Sequence, residues 1–204
     1  MPRSLSSSRM EAFSDGVFSI AATLLVLDIA LDPPGTPLEQ VLHAWPAYLG
    51  YVISFMTIGA AWLGHSATTD RLVHADSLLL RINLLLLLVI AFLPFPTKLI
   101  AEGLHDTNGE RVFVTLYGLT LLSIRLLGSA LDAYARREHL YSTEHADEEQ
   151  QADRSTLVPV IIAYVIAILV GLALPTLAVV LYLALAVFIV VPLGHIRDVL
   201  FKRS

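Results

Sequence analysis

The sequence predicts an all-α integral membrane protein with six transmembrane helices. Hydrophobic residues make up 56% of the 204-residue chain and charged residues only 15%, and the mean hydropathy is +0.71. A soluble domain would carry about 25% charged residues. The apolar residues fall into six segments of roughly 18 to 27 residues, and a helix of about that length crosses a bilayer.

The helix ends are predicted from the residues that interrupt the apolar runs. Residues 1–8 are polar and are expected to form a cytosolic N-terminal tail. The prolines at 33 and 34 end the first helix, because proline cannot continue a helix, and Pro94 and Pro96 are expected to close the third. Residues 36–44 are predicted to form a short acidic loop. The predicted helices are 9–31, 45–66, 77–98, 111–137, 157–174 and 176–195, in a transmembrane domain of residues 9–201 followed by a cytosolic end, 202–204.

The positions of the basic residues predict the orientation of the chain. All of the 13 Lys and Arg residues except Lys98, Arg111 and Arg125 lie near the N-terminus, in the connections after the second and fourth helices, or at the C-terminus. Because cytosolic loops carry the excess of Lys and Arg, both termini are predicted to be cytosolic. The expected location is the cell membrane, with several passes.

The sequence also excludes several classes of function. It contains no cysteine, and its histidines do not have the spacing of a metal site. It has neither a phosphate-binding glycine loop nor a nucleophile elbow, and it is not basic enough to suggest nucleic acid binding. We therefore predict a protein that is not an enzyme, has no cofactor and does not bind nucleic acid.

A regular apolar stripe runs along the first helix. Ile20, Leu24, Leu27 and Leu31 follow steps of four, three and four residues, so they share one helix face, and Thr23 lies beside them. These steps also fit a heptad seam. The pattern leaves two interpretations open: the stripe is a helix-packing face, or copies of this helix meet around an axis and the stripe faces a pore.

Three motifs carry a resemblance to a known family. The first helix combines a charged start with the run Phe13-Ser14-Asp15-Gly16-Val17-Phe18 and the later stretch Thr23-Leu24-Leu25-Val26-Leu27. A Trp-x-x-His pair, Trp62 and His65, follows near the end of the second helix. Asn83 and the run Phe92-Leu93-Pro94-Phe95-Pro96-Thr97 lie in the third. In this order, the motifs resemble the transmembrane protein 175 family, the potassium channels of lysosomes and of bacteria.

The resemblance implies a homotetramer whose first helices line a central pore. Ile20, Leu24 and Leu27 would correspond to a hydrophobic constriction that acts as gate and filter, with Thr23 as a hydroxyl layer within it. Permeant K⁺ would pass near Ile20 and Thr23, with a modest preference over Na⁺. The expected partners are other copies of the chain, membrane lipid and monovalent cations. Asp28 is either a solvated end residue or part of an acidic ring at the pore mouth, and we favour the ring.

A polar cluster is predicted at the cytosolic end of the first helix. An acid past the first turn of a membrane helix needs a partner, because burying it unpaired costs several kcal/mol or more. The simpler alternatives are that Asp15 compensates the helix dipole, Arg9 is a cytosolic anchor, Trp62 lies at the membrane interface and His65 is solvated. We expect a hydrogen-bonded cluster instead, consisting of Arg9, Phe13, Ser14, Asp15, Trp62, His65 and Asn83.

Two further predictions concern charge inside the membrane. Arg125 lies near the middle of the fourth helix, and Asp132 is two turns further along the same face. A charge at this depth usually has a partner, so an Arg125–Asp132 ion pair is expected.

The alternative function is a proton-coupled carrier or proton leak that uses Asp15 and His65. An intramembrane enzyme is disfavoured, because no second acid or nucleophile lies near these two residues.

Overall fold

The structure is a computed structural model that describes residues 7–29, 35–103, 110–142 and 150–190 of the chain. In the described residues, the regular structure is helical, apart from one isolated antiparallel bridge between Leu72 and Tyr141. A 3₁₀ turn, Leu25–Asp28, continues the first helix. The helices are α1 (Ser7–Leu24), α2 (Pro37–His43), α3 (Trp45–Thr69), α4 (Ser77–Phe92), α5 (Pro94–Gly103), α6 (Glu110–Arg137), α7 (Gln150–Gly171) and α8 (Pro175–Val190).

Four segments are long and apolar enough to cross a bilayer. They are Ser7–Asp28, Trp45–Thr69, Ser77–Gly103 and Glu110–Arg137. Two further apolar helical segments are Leu157–Gly171, which belongs to α7, and Pro175–Val190, which is α8. The all-α, multi-pass membrane fold is therefore confirmed, whereas four of the six predicted spans reach full length in the described residues.

The first and third predicted helices end differently from expectation. The α-helix of α1 ends at Leu24, before the prolines that were predicted to end it, and tightens into the 3₁₀ turn. Pro94 and Pro96 do not close the third segment. Proline is tolerated in the first turn of a helix, and Pro94 begins α5, so this segment continues to Gly103.

The predicted acidic loop over residues 36–44 is wrong, because most of it forms α2. Thr36 caps this helix: its backbone N–H donates to Glu39 Oε2 at 2.8 Å, and its hydroxyl accepts from the Glu39 N–H at 3.4 Å. This reciprocal arrangement is a capping box, and Pro37 occupies the first helical position. The hydrogen bond from the Thr36 backbone lowers the pKa of Glu39.

The core forms where α6 packs against its neighbours. α6 contacts α3, α4, α5, α7 and α8. At Gly118, an added Cβ would overlap the Tyr182 hydroxyl on α8 and lie 2.7 Å from Ile168 Cγ1 on α7. The absence of a side chain at Gly118 therefore allows these helices to approach.

A buried polar layer links three helices within the core. The Ser54 hydroxyl on α3 lies 2.7 Å from the Thr97 hydroxyl on α5 and 2.7 Å from the Tyr117 hydroxyl on α6. Thr97 also donates to the Leu93 carbonyl. Since buried polar atoms must be paired to avoid a desolvation cost, this layer fixes the register of the three helices.

Two connections meet at one end of the bundle. The Leu72–Tyr141 bridge joins the segment after α3 to the segment after α6. Asp76 caps α4 by accepting from the Leu79 N–H at 2.8 Å, and it also accepts from the Tyr134 hydroxyl at 2.6 Å. Burial raises the pKa of Asp76, but its hydrogen bonds outweigh burial and hold the pKa below its ordinary value. The two connections therefore lie on the same side of the bundle, as the predicted topology requires.

Candidate pore helix and its polar network

The two faces of α1 have opposite surroundings. Phe18, Ala21 and Leu25 are buried against the rest of the chain, and α1 packs on α3 and α4. Ile20 is 61% exposed and Leu27 is 75% exposed. The predicted stripe therefore lies on the face of α1 that points away from the core of its own chain.

The 3₁₀ turn keeps the stripe aligned. Leu24, which is 42% exposed, ends the α-helix, and Leu27 follows three residues later within the 3₁₀ turn. Side chains three residues apart eclipse each other in a 3₁₀ helix. Leu27 therefore stays in line with Leu24, while Leu31, the last member of the predicted stripe, lies outside the described residues.

Thr23 is the polar member of the exposed face. Its hydroxyl lies 2.9 Å from the Ile20 carbonyl and 3.0 Å from the Ser19 carbonyl. The two backbone carbonyls share the hydroxyl proton as acceptors. The proton is thus used within the helix. The hydroxyl oxygen retains lone pairs, so it can accept a hydrogen bond or contact a cation.

A chain of hydrogen bonds anchors the buried face of α1. The Asn83 Nδ2 group on α4 donates to Ser14 Oγ at 3.0 Å, and Ser14 donates to the Met10 carbonyl at 2.8 Å. Asn83 Oδ1 lies 2.8 Å from His65 Nε2 on α3. Because the Asn83 oxygen can only accept, His65 must carry a proton on Nε2. Ser14, Asn83 and His65 are all buried, so the network ties α1 to both neighbouring helices.

Trp62 and Asp15 form a second link between α1 and α3. The Trp62 indole N–H donates to Asp15 Oδ1 at 2.9 Å. Close by, the Phe18 ring lies 5.4 Å from the His65 ring, measured between centroids. Five members of the predicted cluster therefore take part in these hydrogen bonds: Ser14 and Asp15 on α1, Trp62 and His65 on α3, and Asn83 on α4. Arg9 and Phe13 are exposed, and neither forms a hydrogen bond to this network in the described residues.

Asp28 lies at the opposite end of α1 from this cluster. It is partly buried, and its charged neighbours are Lys98 and Glu102 on α5. The side chain is therefore not a fully solvated end residue. The proposed acidic ring concerns several copies of the chain and stays a prediction.

The predicted ion pair between Arg125 and Asp132 is wrong. Asp132 Oδ2 instead accepts from Arg136 Nε at 2.7 Å, one turn further along α6. Its other oxygen accepts from the Tyr141 hydroxyl at 2.6 Å. Burial and this hydrogen bond raise the pKa of Tyr141, so the phenol remains a donor at neutral pH. Asp132 is thus engaged by closer partners, and Arg125 lies about 10 Å away along the helix axis.

Several polar residues of the bundle were not singled out from the sequence. They are Ser54 and Tyr117 of the buried layer and the tyrosines that bind Asp76 and Asp132. The available signal is weak, because a single hydroxyl inside an apolar run is common. Among the described residues, no group of three His, Cys, Asp or Glu side chains is arranged to hold a metal ion.

The fold and the site define a multi-pass α-helical membrane protein whose first helix has a hydrogen-bonded face toward the protein and an exposed apolar face. The family described as "Endosomal/lysosomal potassium channel TMEM175" matches residues 9–94 of this chain, a region that contains both. A potassium channel of Chamaesiphon minutus is 35% identical over 155 residues, which cover 73% of this chain and 75% of that protein. The chain therefore belongs to the TMEM175 family.

Two further comparisons agree with this assignment. A potassium channel of Streptomyces collinus is 41% identical over 128 residues, which cover 61% of this chain and 62% of that relative, or slightly less than two thirds of its length. The crystal structure of a lysosomal potassium-selective channel TMEM175 homolog from Chamaesiphon minutus superposes with a TM-score of 0.76 at 29% identity, and the match covers 90% of this chain and 95% of that one. The family predicted from the sequence motifs is confirmed. The family is one of ion channels, which also confirms that the chain is not an enzyme.

Proposed function

We propose that the chain is one subunit of a potassium-selective cation channel, a homotetramer in which four copies of α1 line a central pore. The observation that carries the proposal is the exposed stripe of Ile20, Leu24 and Leu27 on α1. A single chain offers one copy of this stripe, so a closed pore needs several subunits, and closed symmetry is usual for identical chains. The bacterial relatives from Streptomyces collinus and Chamaesiphon minutus are named potassium channels.

The proposed gate and filter consist of apolar side chains. Ile and Leu cannot replace the hydration shell of an ion, but a narrow ring of them excludes water when tight and admits a partly hydrated ion when wider. K⁺ loses water more easily than Na⁺, so such a ring favours K⁺ modestly. The Thr23 oxygen is the nearest side-chain ligand for K⁺ beside Ile20. Asp28 at the mouth raises the local cation concentration.

The polar network has a mechanical role in this proposal. A gate that depends on fractions of an ångström requires a pore helix that is held in place. The hydrogen bonds from Asn83 to Ser14 and from Trp62 to Asp15 hold α1 on the side opposite the stripe. Arg9 and Phe13 would join this cluster only through contacts made in the assembled channel.

In the proposed topology, the chain crosses the plasma membrane six times and both termini lie in the cytosol. The start of α1 is hydrogen-bonded to the end of α3 and the start of α4, and the connections after α3 and α6 meet. This common side also carries the excess of Arg residues, which supports its assignment to the cytosol. α7 and α8 would complete the six spans.

The alternative, a proton-coupled carrier or proton leak, needs proton transfer between Asp15 and His65. Each of these side chains is hydrogen-bonded to a different neutral partner, Asp15 to Trp62 and His65 to Asn83. This arrangement favours a structural role for both residues. The alternative predicts a flux that follows the pH gradient and saturates with substrate.

The experiment is an ion-flux measurement on liposomes that contain the purified full-length chain, with imposed K⁺, Na⁺ or H⁺ gradients. The proposal predicts K⁺ flux that exceeds Na⁺ flux by a small factor and does not saturate as a carrier does. Protein-free liposomes provide the background. A chain that moves no cation above this background, or that moves only H⁺, would refute the potassium channel.

A further inference from the structure

A cleft of 690 Å³ opens between α3, α6, α7 and α8, and none of its described lining residues lies on α1. Its volume lies within the range of about 300 to 1,000 Å³ that is typical of sites for small ligands. One wall is apolar and includes Leu121, Leu157 and Phe188. Towards the connections after α3 and α6, the lining becomes polar and includes Arg71 and Arg136. The cleft is therefore amphipathic along its length.

Arg125 lines this cleft and has no counter-ion in the part of the chain that the structure describes. Its Nε is buried without a hydrogen-bond partner among those residues, and Asp132 is already bound to Arg136 and Tyr141. An arginine within a membrane span is costly unless it meets an anion or water. Among the lining residues that the structure describes, Asp132 is the one acid, and it is already bound to Arg136 and Tyr141.

We propose that the cleft binds an anionic phospholipid, with the lipid phosphate paired to Arg125 and an acyl chain against the apolar wall. A phosphate offers the guanidinium a charge-assisted, bidentate partner. A free anion would satisfy Arg125 but would leave the apolar wall without a partner. Basic pockets between membrane helices on the cytosolic side are typical headgroup sites. The site is separate from α1's exposed face, so it does not depend on the proposed pore.

Native mass spectrometry of the purified full-length protein tests this proposal. The protein is incubated in neutral detergent with phosphatidylglycerol or, separately, with phosphatidylcholine of the same acyl chains. We expect preferential retention of one phosphatidylglycerol per chain. Arg125→Gln should weaken this binding by roughly fivefold or more, the effect of about 1 kcal/mol per arginine. Arg137→Gln is the matched control, because Arg137 is exposed and does not line the cleft.

A second variant separates loss of the site from loss of folding. Gly128 lines the cleft, and an added Cβ there would meet nothing within 4 Å. Gly128→Leu keeps Arg125, favours the helix and fills the cleft, so it should also reduce retention of phosphatidylglycerol. Equal binding of both lipids, equal loss in Arg137→Gln, or unchanged binding in Gly128→Leu would overturn the proposal. Displacement of the lipid by millimolar inorganic phosphate would overturn it in favour of a free-anion site.

Discussion

Ile20→Asn should raise cation flux and abolish the preference for K⁺ over Na⁺. In the proposed channel, four Ile20 side chains form a ring that holds back water, and asparagine would offer hydrogen bonds to water at the same place. Each reduction of about 1.4 kcal/mol in the barrier to permeation raises the rate tenfold. We therefore expect Na⁺ flux to rise on the order of tenfold, measured in liposomes beside the native chain.

The matched control is Leu88→Asn. Leu88 on α4 is 65% exposed, close to the 61% of Ile20, and the substitution introduces the same polar group away from α1. It should leave both the rate and the K⁺/Na⁺ ratio unchanged. If Ile20→Asn leaves them equally unchanged, the stripe is a packing face, and the hydrophobic gate is wrong.

Asn83→Leu should destabilise the protein by about 1–3 kcal/mol, the cost of unpaired buried polar groups. Leucine has a similar size but cannot accept the proton of His65 Nε2 or donate to Ser14 Oγ. The result should be a lower midpoint of thermal unfolding in detergent. Because α1 loses its link to α3 and α4, amide hydrogen exchange in α1 should rise more than exchange in α6.

Two companion variants distinguish the network from general packing. Ser14→Ala keeps the His65–Asn83 hydrogen bond, so its cost should be smaller, about 1 kcal/mol. Combining Asn83→Leu with His65→Phe removes the stranded imidazole and should recover part of the lost stability. An Asn83→Leu protein as stable as the native chain would contradict the proposed anchoring of α1.

The sequence contains enough information to predict the chemistry of α1. A stripe with steps of four and three residues requires only helical geometry, and Ile20 and Leu27 are indeed on one exposed face. The sequence also allowed Ser14, Asn83 and His65 to be predicted as one cluster, because polar side chains in apolar membrane helices form hydrogen bonds with each other. Which atoms pair could not be predicted, because donor and acceptor directions depend on the helix rotations.

Other features depend on competition that a linear pattern does not reveal. Asp132 could reach Arg125 or Arg136 along one helix face, and the nearer arginine and Tyr141 are its partners. Pro94 resembles a helix terminator, yet Leu93 before it keeps helical backbone angles and Pro94 occupies the first position of α5, where proline is tolerated. The capping box at Thr36 was readable from its Thr-x-x-Glu spacing, but the acidic composition of this segment suggested a loop.

The most direct test of the account is a single cysteine at Leu27, because the native chain contains no cysteine. Leu27→Cys protein in liposomes is treated with a water-soluble, cationic methanethiosulfonate reagent, and K⁺ flux is measured before and after treatment. Mass spectrometry measures the extent of modification, and Leu88→Cys serves as the control. If α1 lines the pore, Leu27→Cys is modified and its K⁺ flux falls about tenfold or more, the effect of a barrier raised by at least 1.4 kcal/mol, while Leu88→Cys flux is unchanged. A Leu27→Cys protein that resists modification, or that is fully modified and still conducts K⁺ at its original rate, would contradict a pore lined by α1.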